Sequence, residues 1–431
     1  MAPVTVLIDG NNFYASCEAL LDPTVVGRPL VVLSNNDGCI VSRSREARAL
    51  GIPMGVPYFQ IAQQLQRQGV VVRSSNYALY ADMSQRLMTV LEQWVEELEI
   101  YSIDEAFGRL QAPRPRPGDP ADLSDWGQRL RADVRRRLGL PVAVGIAPSK
   151  VLSKIANRIA KGDPVHRGVF DLHAVAVHDP WLAAIPVEDI WGIGRRLSRW
   201  CRLRGISTAL DLRDRPMGEL RQRCGVVGVR LQQELRGQAC LPLIRVPPAK
   251  RETCVSRSFG TPIHSLEELR QAVATYLSRA AEKLRRQGQL AGSITVFVRS
   301  NPFDGTVLVA EAASVQLPLP SNDTGTLLQA ALPLTQRLYR HRRPLHKAGV
   351  VLRDLQGDDR LQQHLLVPLP VEQRRRRERL MAAIDALNQR YGRGTVQWAA
   401  CGLQPRWRMR RSRLSGSATT RLGDIPVAHC S

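Results

Sequence analysis

Lysine is scarce in this chain: only six of its 61 basic residues are Lys, and the rest are Arg. Aromatic residues are few, at 5% of 431. No apolar run approaches the ~20 residues that a membrane span requires, which disfavours an integral membrane protein. The eight cysteines, at 17, 39, 201, 224, 240, 254, 401 and 430, never form C-x-x-C. A zinc ribbon or disulfide framework is therefore disfavoured, and reduced cytosolic thiols are expected. The first residues, MAPVTVLIDGNNFY, hold no basic n-region and no long apolar core, so a cytoplasmic rather than secreted protein is expected. Acidic residues are also in short supply, 39 against 61 basic ones, leaving a net charge of +22.

That charge is unevenly spread. Residues 1–110 carry 8 basic and 12 acidic residues, whereas the remaining 321 carry 53 and 27. A basic body behind a slightly acidic front suggests a polyanion partner and a site that gathers carboxylates. No basic amphipathic helix with a clean aromatic face is evident, so nucleic acid is favoured over a membrane surface.

The first 165 residues read as alternating strands and helices. Val4–Asp9 is a short apolar strand ending in a carboxylate, and Leu30–Leu33 is a second strand. Tyr80, Met83, Leu87, Val90 and Trp94 recur at helical spacing. Ile100–Leu110 reads as a strand pair, Leu123, Trp126, Leu130 and Val134 mark a helix, and Val142–Ile146 is another strand. This β-α-β-β-α-β layout predicts a ferredoxin-like sheet with helices on one face. A boundary is expected near 162–168. Further on, Ser265-x-x-Glu268 is a capping box opening a helix with Leu269, Val273, Tyr276, Ala280 and Leu284 on one face. A late helix carries RRRRER at 374–379, with Leu380, Ile384, Leu387 and Tyr391 as its apolar stripe.

Two acidic motifs carry the chemistry. Asp9 closes the first strand, and Asp104 and Glu105 sit in YSIDEAF at a turn between apolar segments. Carboxylates at neighbouring strand ends are costly unless a cation compensates them. Three of them converging suit Mg²⁺ or Mn²⁺, and two such ions can activate a hydroxyl and stabilise a leaving phosphate. Exposed turn acids are the alternative reading. A third motif is WGIG at 191–194, in which Gly192 and Gly194 bracket an apolar residue ahead of Arg195, Arg196 and a basic helix. This resembles a helix-hairpin-helix, where glycine lets backbone amides approach a phosphate without reading bases. GVVG at 225–228 is a weaker copy.

DGNNFYASCE, VVLSNNDGCIVSRSREARALG, SSNYALYADMS, YSIDEAF and VGIAPSKVLSKIANRIAKG occur in this order, as they do in Y-family translesion DNA polymerases. LSNNDGC and the SSNY-x-LYADMS pattern resemble the UmuC branch in particular. The similarity runs on through WGIGRRLS, SRSFG, RAAEKLR, KAGV and GRGT, over about residues 4–415.

The resemblance implies an α+β multidomain fold shaped as a right hand. A ferredoxin-like palm and small fingers would occupy residues 1–165, with the fingers at about 25–78. A helical thumb with the helix-hairpin-helix would cover 166–240, an α/β little finger 245–355, and a basic C-terminal tail 356–431. It also implies that Asp9, Asp104 and Glu105 hold two Mg²⁺, Mn²⁺ being an alternative, with the carbonyl of Gly10 facing a metal. Tyr14 matches the steric gate beneath the incoming sugar, with Phe13 beside it; Arg48 and Lys161 match residues that grip the triphosphate. Arg45 and Asn12 depart from the common pattern, in which aromatics are frequent. The DNA-binding residues would be Gly192, Gly194, Arg195 and Arg196. A sliding-clamp peptide would fall at Gln363-His364-Leu365-Leu366-Val367, which lacks the aromatic anchor of its kind; an apolar linker is the other reading of Gln363 and Leu366.

The activity implied is error-prone, template-directed DNA synthesis in SOS mutagenesis, adding dNMP from dNTP to a primer 3′-OH. The partners implied are primer-template DNA, a processed UmuD dimer, RecA and the clamp, with nucleoid association when engaged. A clamp-associated DNA-binding scaffold with a vestigial polymerase site is the main alternative, and a palm-type nucleotidyl cyclase a second.

Overall fold

The computed structural model describes residues 4–110, 123–174, 178–301, 308–339, 343–359, 371–403, 405–419 and 421–425. The chain forms two units. The first comprises residues 1–34, 39–247 and 413–431; the second comprises 35–38 and 248–412.

The first unit is built on a five-stranded sheet of β1 (Val4–Gly10), β5 (Glu97–Ile100), β6 (Glu105–Leu110), β7 (Val142–Ala147) and β8 (Val169–Asp171), ordered β5-β6-β1-β7-β8. The strands β2 (Leu30–Leu33), β3 (Ile40–Arg43) and β4 (Val71–Ser74) form a separate sheet ordered β3-β2-β4. The pairings among β5, β6, β1 and β7 are all antiparallel, which is the ferredoxin-like order expected from the element sequence. β8 adds a parallel edge to β7, so the sheet runs past the boundary expected at 162–168.

Strand alternation sends Val4, Val6 and Ile8 to one face, where they pack with the helices Phe13–Leu21, Tyr77–Leu91 and Ser124–Leu138. Tyr80, Met83, Leu87 and Val90 are buried there as their spacing predicts. Leu7 and Asp9 point to the opposite face. The helix Lys150–Gly162 covers that face, so helices lie on both sides rather than on one. The reason is Gly145 in β7. A Cβ there would stand 2.3 Å from both the Asn157 amide nitrogen and the Ser153 carbonyl oxygen, so only glycine lets the helix lie this close.

The three-stranded sheet has its own core, with Val31, Leu33, Ile40, Ala47, Ile52 and Leu65. Another core, under Val151, Leu152 and Ile155, gathers Ile185, Ile190, Ile193, Cys201, Ile206 and Leu220 from the helical segment after β8. The Glu99–Lys150 pair, 2.5 Å apart and buried, ties the end of this unit in place. Lys150 donates to the Pro242 carbonyl, and the Ile244 amide donates to Glu99.

The second unit has a sheet of β9 (Thr253–Ile263), β10 (Gln289–Arg299), β11 (Ala310–Ser321) and β12 (Leu345–Gly357), ordered β11-β10-β12-β9 and all antiparallel. The helices Leu266–Arg286 and Thr324–Leu338 cover it. Ser265 accepts from the Glu268 amide, while the Glu268 carboxylate accepts from the His264 amide rather than that of Ser265, so only half of the capping box forms; Leu269, Val273, Tyr276, Ala280 and Leu284 are all buried, as the spacing predicts. Past β12, the late helix expected around 374–391 forms as Val371–Tyr391. Its inward face differs from the expected one. Met381 is buried and Asp385 pairs with Arg285 at 2.7 Å, while Leu380, Leu387 and Tyr391 are exposed. Trp407 then enters this unit's core against Phe259 and Tyr276. All seven cysteines among the described residues are free thiols.

Candidate active site

Asp9 lies directly opposite Glu105 across the β1–β6 pairing, so both carboxylates share the face covered by the Lys150–Gly162 helix. Along that helix Lys150, Lys154, Asn157 and Lys161 recur at helical spacing and form one stripe. Each lysine meets one carboxylate: Lys150–Glu99 at 2.5 Å, Lys154–Glu105 at 3.0 Å and Lys161–Asp9 at 2.5 Å. Asn157 donates to the Ala143 carbonyl at 2.9 Å, fixing the helix's rotation over the sheet. Three of the chain's six lysines are thus set in register against an acidic ladder.

Burial pushes Asp9 up from its ordinary 3.8 to about 7, with Lys161 opposing the shift and Glu105 adding to it. One carboxylate–lysine contact does not offset the desolvation. Asp104 belongs to the turn before β6. Its carbonyl accepts from the Gly10 amide at 2.8 Å, and its carboxylate accepts from the Ser102 hydroxyl at 2.6 Å. The turn is further held by Trp191, whose indole donates to the Tyr101 hydroxyl, while Lys154 sits 4.6 Å from the Tyr101 ring centre.

Among the described residues no three ligating side chains are already clustered as a metal site, Asp104 being held on Ser102. The donor chemistry nonetheless fits a hard divalent cation: three carboxylates, one of them strongly desolvated, beside the Gly10 backbone.

Asn12 opens the first helix in a left-handed conformation, φ 49°. Phe13 is buried, and Tyr14 is half-buried with its ring stacked on Tyr80 at 4.3 Å and 12°. Tyr77 meets Tyr14 edge-on at 6.3 Å. Arg48 is exposed at the end of the short helix Arg45–Ala49, and Arg45 leans on Glu46. The structure therefore brings Lys161 to the carboxylates and leaves Arg48 exposed. Sequence reasoning missed Lys150, Lys154 and Glu99, although the +4, +3, +4 spacing from Lys150 to Lys161 was readable.

In the hairpin, Gly192 has φ 96° and Gly194 caps the helix Arg195–Arg202. Ile193 is buried between them, and Arg195 and Arg196 are exposed. At the second glycine pair, Gly225, at φ 61°, is the non-helical joint between two helical stretches of Met217–Leu235. Gln363 and Leu366 lie outside the described residues.

Residues 8–158 match the impB/mucB/samB family, residues 250–365 that family's C-terminal domain, and residues 378–428 a domain of unknown function (DUF4113). The chain is 44% identical to protein UmuC of Salmonella typhimurium over 97% of its own length and 98% of the relative's. It belongs to the impB/mucB/samB family. MucB of Escherichia coli is 38% identical over 98% of this chain and 99% of that one. DNA polymerase IV of Moorella thermoacetica is 28% identical over 91% and 95%. A Y-family DNA polymerase chimera of Dbh and Dpo4 superposes with a TM-score of 0.64 at 21% identity, covering 81% of this chain and 98% of that one. The polymerase has the multidomain α+β fold of the Y family. It is a UmuC-like Y-family translesion enzyme, a DNA-directed DNA polymerase. Polymerases of this family generally depend on a divalent metal. No helix among the described residues is long and apolar enough to cross a membrane.

Gly145→Ala tests the geometry of the site. The added methyl must push the Lys150–Gly162 helix off the sheet, and overpacking of this kind costs about 3 kcal/mol. Urea unfolding should show that loss, and wild-type stability would mean that the helix does not lie this close.

Proposed function

We propose that Asp9, Asp104 and Glu105, with the Gly10 carbonyl, hold two Mg²⁺ at which a dNTP is joined to a primer 3′-OH. The observation that carries this is the partly buried Asp9 carboxylate facing Glu105 across one strand pair, with its negative charge incompletely compensated. The metals would activate the 3′-OH and stabilise the departing pyrophosphate; Mn²⁺ fits the same donors. Lys161 and Arg48 would hold the triphosphate, Lys161 already lying against Asp9. Phe13 anchors the helix that presents Tyr14, and Tyr14 would bar a 2′-hydroxyl. The five-stranded sheet is read as the palm, the three-stranded sheet as the fingers, the helical segment after β8 as the thumb and the second unit as the little finger. Gly192, Gly194, Arg195 and Arg196 would hold the duplex backbone through amides and guanidinium groups. The family likeness supports primer-template DNA, a processed UmuD dimer, RecA and the sliding clamp as partners, in a cytoplasmic, nucleoid-associated setting.

Primer extension opposite an undamaged base and an abasic site, with and without those partners, tests the reading. Mg²⁺-dependent extension is expected. A folded protein that binds primer-template and never extends it would be the scaffold instead.

Two further results are expected. Arg195→Ala and Arg196→Ala should each weaken primer-template binding across all sequences and reduce the salt slope by about 1. Retention of the full slope would remove the hairpin from the DNA surface. Asp9 also sets a pH dependence. Its folded pKa lies above the unfolded value, so ionising it costs stability as pH rises from about 4 through 7. A cation relieves that cost, and below pH 7 it must displace a proton. Mg²⁺ should therefore raise Tm more at pH 8 than at pH 6, and the difference should vanish in Asp9→Asn.

A further inference from the structure

Trp191 opens the glycine hairpin, and its side chain reaches the turn that carries Asp104 and Glu105. It lies between Ile190, buried in the core of the helical segment, and Gly192, whose φ of 96° glycine alone adopts readily. The indole N–H donates to the Tyr101 hydroxyl at 2.9 Å. The Trp191 ring meets Tyr101 edge-on at 5.6 Å and the buried Phe107 at 5.9 Å, and those two rings meet each other at 5.4 Å. The Lys154 ammonium stands among all three, 4.6 Å from the centre of Tyr101, 5.6 Å from Phe107 and 5.7 Å from Trp191. The same ammonium is 3.0 Å from Glu105 Oε2.

Tyr101 belongs to the turn itself. The amides of Tyr101 and Ser102 each donate to the Glu105 carbonyl at 3.0 Å, and the Ser102 hydroxyl accepts from the Glu105 amide at 3.1 Å. A shift of Tyr101 therefore moves the backbone that presents Asp104 and Glu105. A shift of Lys154 moves the cation paired with Glu105. At its other end Trp191 adjoins the hairpin, where a phosphate held by backbone amides fixes the chain beside the indole. We propose that Trp191 is a positioning residue that couples duplex binding at the hairpin to the carboxylate turn, so that bound primer-template sets Asp104 and Glu105 for metal. This rests on the reading of the hairpin as a phosphate site and of the turn as a metal site.

Such coupling is reciprocal: DNA tightens metal binding by the factor with which metal tightens DNA binding. The test measures that factor in the full chain, with Tm recorded for each variant. Mn²⁺ affinity is read by electron paramagnetic resonance with a non-hydrolysable dNTP, with and without primer-template. The primer ends in a dideoxynucleotide, which removes the 3′-OH that a metal would touch. Wild type should bind Mn²⁺ more tightly when DNA is present. Trp191→Phe keeps a ring and loses the N–H, whereas Tyr101→Phe keeps its ring and loses the acceptor. Each should reduce the coupling factor about threefold, the worth of one part-exposed hydrogen bond, and leave DNA-free Mn²⁺ affinity within about twofold. The double variant should lose no more than either single one, because both remove the same bond. No gain from DNA in wild type, or the full factor in both variants, would overturn the link. Equal weakening of Mn²⁺ binding with and without DNA would also overturn it and leave Trp191 as packing alone. An absence of Mn²⁺ binding in wild type would instead fail the metal-site reading, and the full salt slope in Arg195→Ala and Arg196→Ala would fail the hairpin reading; the link falls with either.

Discussion

Asp104→Ala abolishes primer extension while leaving primer-template affinity nearly intact. Asp104 is only partly buried, and its carboxylate bonds to Ser102 within its own turn, so its removal leaves no orphaned buried group. The turn keeps the bond from the Gly10 amide to the residue 104 carbonyl, because that bond is made by backbone. The loss therefore falls on metal holding, and binding energy supplied by phosphate contacts elsewhere survives. Single-turnover dNMP incorporation should fall by about 10³-fold or more, a loss of roughly 4 kcal/mol of transition-state stabilisation. Fluorescence anisotropy with labelled primer-template checks the affinity. Normal extension by the variant would remove Asp104 from the site.

Tyr14→Ala is the second large effect. The tyrosine is half-buried and stacked face to face on Tyr80, so its ring is presented by a rigid floor rather than mobile in solvent. Removing it should raise the rNTP/dNTP efficiency ratio by ~10²-fold, about 2.7 kcal/mol of lost discrimination. Use of dNTP should suffer less, because Tyr14 offers no metal ligand. If Tyr14 served only to fill space beside Tyr80, both activities and Tm would fall together with the ratio unchanged. Steady-state insertion of rCTP and dCTP separates these outcomes.

The acidic face of the sheet was legible because strand alternation fixes which residues share a side. Asp9 and Glu105 end and begin strands whose apolar neighbours make the pattern clear, and the pairing sets them opposite each other. The lysine stripe was missed for a different reason. Lys150, Lys154 and Lys161 recur at helical spacing, as a solvated face does, and only the packing of that helix over Glu99, Glu105 and Asp9 gives the stripe its meaning. The expectation of helices on one face failed at Gly145, whose missing side chain is the signal for a helix on the other. In the helix Val371–Tyr391, apolar spacing pointed to Leu380, Ile384, Leu387 and Tyr391, of which Ile384 alone is partly buried. The partner side was set instead by Met381 and by the Asp385–Arg285 pair. Periodicity finds a stripe without saying which side meets a neighbour. Residues 405–416 carried no periodic signal because hydrogen bonds and the single anchor Trp407 hold them, with no repeating face.

The central claim is that the carboxylates of β1 and the turn before β6 form a two-metal polymerase site. The most direct test is a crystal of the protein with primer-template, a non-hydrolysable dNTP and Mn²⁺, measured at the manganese edge. Two anomalous peaks ~3.5–4 Å apart, ligated by Asp9, Asp104 and Glu105 with the triphosphate, are predicted. Manganese bound elsewhere, or no peak within reach of these three carboxylates in a complex that holds both substrates, would contradict it.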